Sequence, residues 1–242
     1  MALLTCENIH KSFGEKHVLK GVSIELHEGE LVSLLGMSGG GKTTLFNVLS
    51  GIYTPEEGRV ILKGEDITGK PGKMSYMLQK DLLLPYKKVI DNVSLPLVLQ
   101  GMKKSEARKT ADRHFKTFGL EGTQQLYPSA LSGGMKQRAA LLRTYLSSSG
   151  VALLDEPFSA LDTITKSKIH EWYLDVMNEI NLSTIFITHD IDEAILLSDR
   201  IYILSDGLIT AEIKIDTPKP RAKDFNLTTQ FLEYKKQIVS LL

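Results

Sequence analysis

Apolar positions along the chain follow two rhythms that separate strands from helices. Leu3 to Ile9, and then Val22, Ile24 and Leu26 with polar neighbours between them, predict two short strands near the N-terminus. His27-Glu-Gly-Glu30 turns the chain into Leu31–Leu35, a continuous apolar run that reads as a buried strand. Pro55-Glu-Glu-Gly58 predicts a turn, Arg59–Leu62 a strand, and Met74–Leu78 another strand with Gln79 directly after it. Val151–Leu154 and Ser183–Ile187 are further buried strands, and Arg200–Leu204 and Leu208–Ile213 flank Asp206-Gly207, a two-residue hairpin signal.

Helical spacing fills the intervals. Leu45, Val48 and Leu49 share one face of a helix that starts near Lys42 and stops at Gly51. From about Asp81 to Ser149 the strand rhythm lapses. Ser105 there reads as an N-cap, Ala107, Ala111, Phe115 and Phe118 follow at helical spacing, and Met135, Ala139, Leu142 and Leu146 mark a second amphipathic helix. Asp162 to Asn181 predicts a long helix and Ile191–Leu197 a short one, and the segment from Pro218 onward reads as a tail. The expectation is an α/β core with a mostly helical insertion at about 81–149.

One stretch carries chemistry by itself. Gly36, Met37, Ser38, Gly39, Gly40, Gly41, Lys42 and Thr43 fit G-x-x-x-x-G-K-[ST], between a predicted strand and a predicted helix. Glycines let successive backbone N–H groups turn inward as an anion-binding nest, and the helix end adds its dipole. Lys42 then reaches the β- and γ-phosphates of a nucleoside triphosphate, and the Thr43 hydroxyl ligates Mg²⁺. Thr44 follows on the same helix end. Ser132-Gly-Gly134 opens another helix in the same manner, a second phosphate-binding device, although a plain Gly-Gly turn fits as well. Phe13 sits where the first strands turn and suits either adenine stacking or the edge of the core.

Composition narrows the setting. With 42% apolar and 24% charged residues among 242, the chain suffices for a sizeable core. Twenty-nine basic residues balance twenty-nine acidic ones, so no overall basic field favours nucleic acid. The single cysteine, Cys6, forms no internal disulfide, which fits a reducing compartment. No apolar stretch approaches the ~20 residues that span a bilayer, so a separate polypeptide must supply any membrane span.

Taken in order, these motifs resemble the nucleotide-binding subunits of ABC transporters over nearly the whole chain. The phosphate loop Gly36–Thr43 comes first, then Gln79 as the Q-loop and Leu131-Ser-Gly-Gly134 as the signature. Asp155-Glu156 ends the Walker B strand, Ser159-Ala-Leu-Asp162 is the D-loop, and His189 is the switch histidine; Phe13 falls at the adenine-stacking position. Met135 departs from the commoner Gln, and Leu-Ser-Gly-Gly-Met followed by Lys136-Gln-Arg138 is similar to the nitrate, sulfonate and taurine importers, a branch that includes thiamine pyrimidine precursor systems.

The resemblance implies one ABC ATPase domain with the α/β P-loop NTPase fold. A RecA-like core with an antiparallel β subdomain would occupy 1–80 and 150–215, the α-helical subdomain 81–149, and the tail 216–242. It implies that Asp155, Thr43 and Gln79 hold Mg²⁺, that Glu156 acts on the attacking water, and that His189 contacts the γ-phosphate. Ser132, Gly133, Gly134 and Met135 would contact ATP held by a second copy in a head-to-tail homodimer, and Asp162 would belong to the D-loop. Implied partners are integral membrane permease subunits and an extracytoplasmic substrate-binding protein, with no nucleic acid; the place is the cytoplasmic face of the cell membrane. An exporter ATPase, a soluble ABC ATPase and a non-catalytic scaffold are the alternatives.

Overall fold

The structure, a computed structural model, describes residues 2–148, 150–159, 163–180, 182–219, 221–222 and 224–242. Strands β1 (Leu4–Phe13) and β2 (Lys16–Leu26) form an antiparallel hairpin, and β3 (Leu31–Leu35) leads into helix α1 (Lys42–Leu49). Strands β4 (Glu57–Leu62), β5 (Glu65–Asp66) and β6 (Ser75–Met77) follow. Helices α2 (Val89–Val93), α3 (Leu95–Leu99), α4 (Lys104–Asp112) and α5 (Gly133–Ser147) then separate β6 from β7 (Val151–Asp155). After them come α6 (Thr163–Ile180), β8 (Ser183–Thr188), α7 (Ile191–Leu197), β9 (Arg200–Ser205), β10 (Leu208–Lys214) and α8 (Thr229–Val239).

Among the described residues the strands make two sheets. One is antiparallel in the order β2-β1-β4-β5; the other runs β10-β9-β3-β8-β7-β6, parallel throughout except for the edge hairpin β9–β10. Alternation within the parallel strands explains their unbroken apolar sequence. Val32, Leu34, Val151, Leu153, Ile185 and Ile187 face α1 and the antiparallel sheet. Leu31, Ala152, Leu154 and Phe186 face the other way, onto α5 and α6. Both faces are covered, so apolar residues dominate, with small hydroxyl residues such as Ser33 and Thr184 buried among them. This is the α/β P-loop NTPase arrangement expected from the sequence.

Several boundaries moved. Strand β1 continues past Ile9 to Phe13, and β4 starts at Glu57 inside the expected turn. Ser105 is not an N-cap. Helix α4 starts at Lys104, two residues earlier than a cap at Ser105 implies, with Lys103 in extended geometry before it and no side-chain cap, an exposed end that water can satisfy. That helix stops at Asp112, and turns carry Phe115 and Phe118 into the core. The hairpin signal held: Asp206 and Gly207 have φ of 49° and 81°, the paired positive values of a type I′ turn. The C-terminal segment packs firmly, since Phe225, Phe231 and Ile238 are buried against Ile195, Ile203 and Ile213.

At the amino end of the parallel strands, a buried guanidinium ties the two sheets together. Arg200 donates twice to the Glu30 carboxylate, at 2.6 and 2.9 Å, and reaches Glu25 on β2 and Glu212 on β10 at 3.2 and 3.1 Å. Burial pulls its pKa down, but the bonds to Glu30 and Glu212 outweigh this and leave it above the ordinary arginine value. Removing one partner of such a cluster strands the others. Arg200→Leu should cost about 3 kcal/mol of stability. Thermal unfolding should register this as a Tm lower by roughly 6–12 °C; an unchanged Tm would show that the cluster contributes nothing net.

Candidate functional site

Parallel pairing decides which residues meet. Leu35 lies opposite Thr188, Ile187 opposite Asp155, and Leu154 opposite Met77. Gly36, His189, Glu156 and Gln79, each one or two residues further on, therefore leave the sheet at the same edge. This is the carboxyl end of the strands, where ligands of parallel α/β sheets bind. A cleft of about 660 Å³ opens there.

Its floor is the glycine loop and the start of α1. A Cβ at Gly36 would lie 2.1 Å from the Leu204 carbonyl oxygen, so only glycine passes there. Gly41 precedes α1 with φ of 101° and no side chain caps the helix, which leaves its first N–H groups to the cleft lined by Gly41, Lys42, Thr43 and Thr44. Ser38 and Gly39 line it as well, whereas Met37 points outward, 71% exposed. The Lys42 ammonium donates to the Gly36 and Met37 carbonyls, 2.8 Å each, and curls inside the loop. Burial lowers its pKa, while the nearby Glu156 and Asp155 carboxylates oppose that shift.

Asp155 ends β7 as a buried carboxylate. Its Oδ2 accepts from Thr43 Oγ1 and from Tyr76 Oη, both at 3.4 Å. Burial raises its pKa first, and the charge of Glu156 adds to the rise. These hydroxyl and carboxylate oxygens suit a small hard cation that takes its remaining ligands from water or phosphate. Among the described residues no cluster of three His, Cys, Asp or Glu offers a fuller protein cage.

Glu156 adopts φ of 46°, a left-handed conformation that costs a non-glycine residue roughly 1–3 kcal/mol. Its N–H donates to the Ile187 carbonyl at 3.1 Å, and its own carbonyl accepts from the N–H and hydroxyl of Ser159. The strained turn aims the carboxylate across the sheet edge. One oxygen accepts from Gln79 Nε2 at 3.0 Å, and the other lies 3.2 Å from His189 Nδ1.

Other expected residues stand apart. Phe13, 46% exposed, lies outside the cleft lining and packs edge-on against Tyr53, ring centres 5.5 Å apart, with the Lys11 ammonium above it. Ser132 caps α5 by accepting from the Met135 N–H at 3.3 Å. Gly133, Gly134 and Met135 form the first turn of that helix, and none of the four lines the cleft. Asp162 lies outside the described residues. Three residues that sequence reasoning missed join the site: Lys16 and Val18 of β2 line the cleft, and Tyr76 contacts Asp155. Only their neighbourhood to Phe13 and Gln79 could have signalled them. A second opening of about 760 Å³ runs from Gln79, Glu156 and His189 toward Leu82 and Gln137.

Known proteins share this organisation. The ABC transporter family model matches residues 19–159, more than half of the chain. The formylaminopyrimidine import ATP-binding protein of Halalkalibacterium halodurans is 39% identical over 99% of this chain and 96% of its own. The nitrate import ATP-binding protein of a Synechocystis species is 37% identical over 95% of this chain and 89% of its own. A dimeric ATP-binding cassette in a post-hydrolysis state, bound to ADP and Pi, superposes with a TM-score of 0.75 at 31% identity, covering 89% of this chain and all of that one. By motif order, fold and full-length likeness together, the chain belongs to the ABC transporter family and is an ATPase of that family.

Proposed function

We propose that the chain is the ATP-hydrolysing subunit of an ABC importer, driving uptake of a small solute through a separate membrane permease. The observation that carries the catalytic half is the Glu156 carboxylate, bridged between Gln79 and His189 beside the Lys42 loop. The import half draws support from the two relatives, one named for formylaminopyrimidine import and one for nitrate import.

Each residue then has a task. The loop N–H groups and Lys42 neutralise phosphate oxygens; Lys42 exchanges its two carbonyl partners for them. Thr43, Asp155 and Gln79 would hold Mg²⁺, which would supply charge neutralisation for the phosphates. Glu156 accepts the proton of the attacking water, and His189 orients that water against the γ-phosphate. Phe13 stacks on the adenine from the cleft rim. Ser132, Gly133, Gly134 and Met135 serve the site of a second copy. Their distance from the cleft of their own chain supports that head-to-tail reading.

The membrane side follows from one loop. Leu83 is buried, but Leu82 and Tyr86 are 53% and 73% exposed in the segment that Gln79 begins. Arg143 of α5 donates to the Leu82 and Asp81 carbonyls, and Asn92 of α2 holds the Leu84 backbone. An apolar surface presented on so anchored a loop suits a permease segment. Among the described residues no helix is long and apolar enough to cross a membrane. The chain would act on the cytoplasmic face, beside a permease served by an extracytoplasmic binding protein.

Three outcomes test these assignments. Lys42→Ala should weaken ATP binding by about 10- to 100-fold with the fold intact, because one charge-assisted contact is lost; equilibrium binding of a fluorescent ATP analogue measures it. Glu156→Gln should bind Mg·ATP yet lower kcat by about 10²–10⁴-fold, and light scattering should find an ATP-dependent dimer. Wild-type turnover in that variant would remove Glu156 from the base role. Tyr86→Glu should leave basal ATPase unchanged while abolishing recovery of the permease from detergent-solubilised membranes; undiminished recovery would move the docking surface elsewhere.

A further inference from the structure

Behind the cleft, a buried hydrogen-bond chain uses groups that the proposed chemistry leaves idle. Glu193, in the first turn of α7, is 3% exposed. Its Oε2 accepts from the Thr188 hydroxyl, and its Oε1 lies 2.9 Å from His170 Nε2 on α6. The same Thr188 hydroxyl accepts from the Asp190 N–H at 3.0 Å. Asp190 Oδ1 in turn accepts from the N–H groups of Asp192 and Glu193, at 3.0 and 3.2 Å. One hydroxyl thus ties together the two residues that flank His189, and Glu193 holds that hydroxyl in place.

His189 depends on such support. Its side chain is 62% exposed, and among the described residues its imidazole has one hydrogen-bond partner, Glu156. An exposed imidazole with a single contact takes its position from its backbone. The far end of the chain reaches the other member of that contact: the His170 ring packs edge-on against Phe158, 4.9 Å between centres, two residues beyond Glu156. The network therefore spans the Glu156–His189 pair from behind. A buried carboxylate is costly unless its oxygens are satisfied, and here both oxygens point to this task rather than to packing.

We propose that Glu193, braced by His170, is a positioning residue for ATP hydrolysis: it fixes the Thr188–Asp190 turn so that the His189 imidazole meets Glu156. The inference rests on the role proposed above for His189. It predicts loss of turnover without loss of nucleotide binding.

Steady-state ATPase assays on Glu193→Ala, Glu193→Gln and Thr188→Val test it, each also in a His189→Ala background. Glu193→Ala and Thr188→Val should lower kcat by about 10- to 100-fold, as removal of a hydrogen-bonded support typically does, with KM within about twofold. Glu193→Gln should restore most of kcat, since its amide oxygen still accepts from Thr188. Thr188→Val, nearly isosteric, carries the test if Glu193→Ala does not fold. In the His189→Ala background, single-turnover rates should fall no further when Glu193 or Thr188 is changed. An additive loss there, a raised KM at unchanged kcat, or wild-type kcat in both variants would overturn the inference. Wild-type turnover by His189→Ala alone would instead overturn the role given to His189.

Discussion

The register of the parallel strands is the constraint on which the molecule depends. Leu35, Met77, Asp155 and Thr188 end their strands nearly level because β3, β8, β7 and β6 pair in one fixed register. A slip of one residue would shift a strand by about 3.3 Å and turn every side chain to the opposite face. Phe186 would then leave the cluster it shares with Tyr173 and enter the one around Phe46. Because both faces are buried, such a slip is excluded by packing. The same packing aligns Gln79, Glu156 and His189, so the core and the site are one solution to one constraint.

The two ends of the sheet handle charge in opposite ways. At the amino end, Arg200 is saturated by carboxylates, and Asp199 accepts from the Leu31 N–H and the Lys219 ammonium, both at 2.8 Å. At the carboxyl end Lys42 rests on carbonyl oxygens, Asp155 on weak hydroxyl contacts, and Glu156 on a strained backbone. Rigid pairing below lets the rim above keep polar groups only partly satisfied.

Legibility from sequence followed the same division. The buried strands were readable because burial on both faces leaves mostly apolar residues, and Asp206-Gly207 was readable because a type I′ turn demands positive φ twice. Gly36–Thr43 was readable because the Leu204 carbonyl and the helix end tolerate few alternatives. Ser105 misled because an exposed helix end needs no side-chain cap, so Lys103 serves. Tyr76 escaped notice because pairing with the distant β7 brings it to Asp155, and Lys16 and Val18 because β2 packs beside the glycine loop at Gly41, which no local pattern announces. Glu193 was hidden too: on a seven-residue helix it looks like any first-turn acid, and only His170, twenty-three residues earlier, reveals its work.

Charge balance then argues for how the cleft is filled. Asp155 and Glu156 are adjacent carboxylates; burial raises the Asp155 pKa first, and the Glu156 charge beside it adds to the rise. Lys42 is the cation among them, and burial already disfavours its charge. A triphosphate entering alone would add negative charge beside two carboxylates. A divalent cation held at Thr43 and Asp155 would offset that repulsion. Lys42 would then turn from the Gly36 and Met37 carbonyls to phosphate oxygens. On the proposed reading the cleft would favour nucleotide and cation as a unit over either one alone, with Glu156, held by its strained backbone, at the edge as the proposed base.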